Sequence, residues 1–143
     1  RAELDRIDAS ARAFAASRER LLESAQQGAA FCIVTGAIWD GGFADYTYPV
    51  AIGAAAAREA LPLPLTQAMY LHAFLSNLVA AGQRLLPVGQ TEGQAMLRRL
   101  TARIPALAEA TAKGDLARLS GTAFLTDIAA MHHETQTTRI FRT

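Results

Sequence analysis

Pro64 and Pro87 bracket the 22 residues LTQAMYLHAFLSNLVAAGQRLL, which contain no proline. A proline lacks an amide hydrogen and clashes with the preceding turn, so a helix can start at one and has to stop near the next. The other three prolines punctuate the chain in the same way. Pro49 suits a first helical turn begun at Thr47 or Tyr48, Pro62 closes VAIGAAAAREAL, and Pro105 marks a break or kink. Alanine and leucine recur at helical spacing, and nowhere do β-branched and aromatic residues alternate for long. The fold class expected is all-α, a single multi-helix domain with a C-terminal tail.

The remaining elements follow from the same signals. Leu4, Ile7, Ala11 and Phe14 form one stripe of a first helix. A second runs from Arg18 to about Thr35, with Leu21, Leu22, Ala25, Ala29 and Cys32 inward. Gly28 weakens that helix unless something has to approach it closely. Residues 36–49 form a loop anchored by Trp39, Phe43, Tyr46 and Tyr48. After Pro87, Thr91 suits an N-cap and Gln94 would complete a capping box. Lys113, Gly114 and Asp115 read as a turn, and a last helix covers about Thr122 to Thr135. The division expected is a helical domain over 1–131 and a C-terminal tail over 132–143.

Composition removes several function classes. Fourteen basic residues against thirteen acidic give a net charge of +1, which offers no pull toward nucleic acid or an anionic membrane. The single cysteine, Cys32, cannot form an internal disulfide, so a reducing cytoplasm is the simplest home. The opening RAELDRIDASARAF is charged, unlike a signal peptide. His72, Asn77, Gln83 and Arg84 interrupt the longest apolar region, so it does not read as a membrane span.

Catalytic and metal signals are weak. His132 and His133 are adjacent, so on a helix their side chains diverge by about 100° and do not converge on one ion. With Glu134 they read as a helix end whose cations complement the dipole. His72 and Asn77, within the apolar helix, read as satisfied core groups. Cys32, between Phe31 and Ile33, reads as a small buried hydrophobe. The glycines of WDGGF and PVGQTEGQ match neither GxGxxG nor the phosphate-loop pattern. No cofactor and no metal ligand is expected. The ending HHETQTTRIFRT is the positive signal, because Arg139 and Arg142 flanking Ile140 and Phe141 have the composition of an interface anchor.

That ending, together with YLHAFLSNLVAAGQRLLPVGQTEGQ, resembles the C-terminal part of the urease accessory proteins of the UreF family. YPVAIGAAAA and ASRERLLESAQQGAAF are similar to two further stretches of that family. The resemblance implies an all-α, dimeric, non-enzymatic adaptor in the cytoplasm. Such an adaptor binds a UreD/UreH-type accessory protein and recruits the GTPase UreG, so that nickel reaches the urease apoprotein. It also implies that the C-terminal segment contacts the UreD/UreH partner. On that pattern the partner-binding residues are His133, Glu134, Thr135, Gln136, Thr138, Arg139, Phe141 and Arg142. His132 and Thr137 depart from it, standing where the family usually has arginine and tyrosine. Docking salt bridges account for Arg139 and Arg142 more cheaply than an arginine finger on the GTPase. The family's N-terminal third has no counterpart here, which implies a piece of a longer protein. The alternative is a helical small-molecule-binding or enzymatic bundle with a pocket around His72.

Overall fold

A computed structural model describes residues 1–39 and 44–137. Among them are seven α-helices, one short 3-10 turn and no strand, so the all-α expectation holds. The helices are α1 (Ala2–Ala13), α2 (Arg18–Ile38), α3 (Tyr48–Arg58), α4 (Leu63–Leu85), α5 (Gln90–Thr101), α6 (Ile104–Thr111) and α7 (Phe124–His133). The 3-10 turn is Leu116–Arg118. Contacts divide the chain into two units, residues 1–58 with 116–143 and residues 59–115.

In the first unit, α1 and α2 both pack on α3. Cys32, Tyr46, Val50 and Ala51 form the buried centre, and Leu4, Ile7, Ala11 and Phe31 close over it. The α1 stripe read from the sequence is therefore real as far as Ala11. Phe14 lies beyond the last helical residue, at the C-cap, and is exposed. Cys32 behaves as the buried hydrophobe expected, its thiol directed at the Ala44 carbonyl oxygen 3.2 Å away. Phe31 meets Tyr48 edge to face with 6.1 Å between ring centroids, a favourable aromatic geometry.

Gly28 is the point of closest approach. A Cβ built there would lie 1.9 Å from the Tyr46 carbonyl oxygen and 2.7 Å from the Tyr48 nitrogen. Only a residue without a side chain lets α2 pass the start of α3. That start is fixed from a third direction by Asp8 of α1. Its Oδ1 accepts from both the Thr47 amide and the Thr47 hydroxyl at 2.7 Å, while Arg12 Nε donates to its Oδ2 at 2.6 Å. Tyr46, next along, donates its hydroxyl to Asp5 at 3.1 Å.

In the second unit, α4 packs on α5 and α6. Ile104 and Ala108 of α6 are buried there, and Gln67 donates to the Thr111 hydroxyl at 3.3 Å. Pro105 falls in the first turn of α6, the break expected of it. Gly114 adopts φ +60, the left-handed conformation that a tight turn demands and glycine tolerates. Two expectations fail here. The N-cap of α5 is Gly89, not Thr91, and it makes no side-chain capping bond. The Gln83 amide instead reaches the Gly89 carbonyl at 3.3 Å and the Gln90 side chain at 3.1 Å, which fixes the helix start two residues upstream of Thr91. The second failure concerns α4, which contains no buried residue. Leu65, Met69, Phe74 and Leu78 are all exposed, and His72 and Asn77 are exposed with them rather than being core groups.

Candidate functional site

Of the residues singled out from the sequence, His133, Glu134, Thr135 and Gln136 are described, and they sit where α7 ends beside the start of α2. Ser17 breaks the path from α1 with extended backbone angles, and its hydroxyl accepts from the Arg20 amide at 3.2 Å. This is ordinary N-capping, which satisfies one of the free amides at a helix start. A second free amide, that of Arg18, donates to Glu134 Oε1 at 2.6 Å across 116 positions of sequence. Beside it, His133 Nδ1 lies 2.5 Å from Glu19 Oε2. The two carboxylates sit at the positive end of the α2 dipole, and the imidazole sits at the negative end of α7. The histidine–glutamate contact is an ion pair when the ring is protonated and a hydrogen bond otherwise.

The residues named from the sequence divide at this junction. His133 and Glu134 are half-buried against α2. Thr135 and Gln136 are exposed, their amides bonded to the His132 and His133 carbonyls at 3.2 Å as the helix closes into a turn. Thr138, Arg139, Phe141 and Arg142 lie outside the described residues, as does Phe43 of the loop. α7 runs from Phe124 to His133, two residues inside each of the bounds expected at Thr122 and Thr135. Arg18 and Glu19 were not among the residues named, although ASRERLLES was one of the stretches carrying the family resemblance. A helix-start amide gives no sequence signal for a carboxylate more than a hundred residues away.

Other candidates carry less. His72 is exposed on α4, where Ser76 Oγ stands 3.5 Å from the His72 Nδ1 and donates to the His72 carbonyl oxygen at 2.8 Å. A shallow depression of about 260 Å³ lies elsewhere, lined by Phe14, Arg20, Leu21, Thr47 and Asp127 among others. No group of three histidine, cysteine or acidic residues among the described ones could hold a metal ion. No helix among them is long and apolar enough to cross a membrane.

Among the described residues the fold is all-helical, and its last helix is tied back to the start of the second. Residues 1–101 match the model of the UreF family, and the chain belongs to that family. It is 51% identical to the urease accessory protein UreF of Ruegeria pomeroyi over 99% of this chain and 65% of that protein. It is 54% identical to the UreF of Ruegeria sp. strain TM1040 over 97% of this chain and 65% of that protein, and 42% identical to the UreF of Bradyrhizobium diazoefficiens over 92% and 58%. The chain thus spans just under two thirds of the length of the Ruegeria relatives. No solved structure matches it.

Proposed function

We propose that the chain serves urease maturation as a non-enzymatic cytoplasmic adaptor. It binds a UreD/UreH-type accessory protein and presents the GTPase UreG, so that nickel is delivered to the urease apoprotein. Nickel is cargo in this reading. An assembly that hands on a metal needs weak, exchangeable ligands at most, not a closed site. The observation that carries the reading is the family match, which extends through relatives named as urease accessory proteins along 99% of the chain.

The C-terminal segment 132–143 is the docking element of this proposal. It supplies exposed Thr135 and Gln136, followed in sequence by Thr138, Arg139, Phe141 and Arg142. Aromatic residues and arginine are both enriched in protein interfaces. The exposed apolar residues of α4, among them Leu65, Met69, Phe74 and Leu78, favour self-association as a homodimer. Sedimentation at the mass of one chain over micromolar concentrations would remove that part.

The test is co-purification with the UreD/UreH-type protein from the same organism, using the full chain and one lacking residues 132–143. Retention of the full chain alone supports the docking element. Equal retention of both, or of neither, overturns it.

A further inference from the structure

The docking proposal treats HETQ and the residues after it as one element, but the geometry splits that element in two. Thr135 and Gln136 are exposed. His133 and Glu134 are turned back onto the chain itself. Glu134 accepts from the first amide of α2 at 2.6 Å, and His133 meets Glu19 at 2.5 Å. Each side chain commits one polar atom to a short, charge-assisted contact at a helix end. Two adjacent residues holding two successive residues of α2, Arg18 and Glu19, restrain the segment more than one contact could, because a single bond allows it to swivel.

We infer that His133 and Glu134 are positioning residues, a two-point clasp on the first turn of α2. The clasp sets where the tail leaves the fold, and contact with the partner starts at Thr135. The inference rests on the docking reading of the tail and deepens it. It makes Arg18 and Glu19, more than a hundred positions upstream, part of the same device. A tail held at its root keeps a high effective concentration of its anchoring residues at the partner surface; a swivelling root lowers it.

The test is a double-mutant cycle in the full chain: E19A, H133A and E19A/H133A, each titrated calorimetrically with the UreD/UreH-type protein. Glu19 lies outside the tail, yet E19A should weaken binding by roughly 3- to 10-fold, the size of a coupled contact pair. The double variant should bind no worse than the weaker single one. The clasp is overturned if H133A costs the same factor with and without Glu19, because His133 then touches the partner itself. A second readout needs no partner. Hydrogen exchange at the Arg18 amide should quicken about 10-fold or more in E134A, since a first-turn amide has no carbonyl partner of its own helix. Unchanged exchange removes the clasp. If no chain binds, wild type included, the docking reading fails while the exchange experiment still decides the clasp.

Discussion

Asp8 is a buried carboxylate, and its titration shows how the first unit is held. Burial alone would raise its pKa. The Thr47 amide, the Arg12 guanidinium and the Thr47 hydroxyl together outweigh burial and hold it below the ordinary carboxylate value. A group with a depressed folded pKa contributes stability that is fully present above its unfolded pKa, about 3.9, and lost as pH falls through the folded value. Asp8→Asn should therefore cost about 1–3 kcal/mol at pH 7, the range for a disrupted buried polar contact. The gap to wild type should narrow as pH falls below about 4, where the unfolded chain takes up the proton first, and close as the folded carboxyl is protonated at lower pH. Urea unfolding at pH 7 and pH 3 measures both, and a gap that does not change with pH contradicts the assignment. Gly28 gives a sharper case, because backbone rather than a flexible side chain occupies the space its Cβ would need. Gly28→Ala should destabilise at the upper end of the about 1–3 kcal/mol typical of overpacking. An unchanged melting temperature would show that α2 and the start of α3 are farther apart than described. The sequence hinted at this glycine, since a glycine inside a helix asks for a reason. It could not name Tyr46 and Thr47 as the reason, because that contact is made only when α2 and α3 pack.

Helix boundaries were the most legible elements. Four of the five prolines lie in or beside the first turns of α3, α4 and α6, and Pro87 lies just past the end of α4. Proline's constraint is local, which is why it can be read without knowing the fold. The start of α5 was misread because Thr91 has good capping chemistry, whereas Gln83, seven residues before Gln90, supplies contacts that no local rule includes. Thr91→Ala should accordingly change stability by no more than about 0.5 kcal/mol, the scale of an exposed helical position. A loss of about 1 kcal/mol or more, as a true N-cap would give, contradicts the placement of Gly89 at the cap. Burial on α4 was not legible either. Its composition says that it is apolar, but which of its faces is covered depends on what packs there. His72 and Asn77 were expected inside on composition alone, and they are outside.

For the whole molecule, fold class and family came from different signals. The first came from spacing and prolines, the second from HETQTTRIFRT and the stretches that accompany it. Of the partner-binding residues inferred from that resemblance, the described ones share a place at the end of α7, and two of them contact the chain's own α2. That contact was illegible because it joins residues 114 and 116 positions apart, and neither segment's chemistry specifies the other. We propose that the segment after this junction grips the UreD/UreH-type partner through Phe141 and its flanking arginines. The most direct measurement is the calorimetric affinity of the full chain for that partner, compared with Phe141→Ala. If Phe141 is the anchor, truncation should cost at least about 2 kcal/mol, or roughly 30-fold in Kd, with the melting temperature of the free chain unchanged. An affinity within about twofold of wild type would contradict the claim.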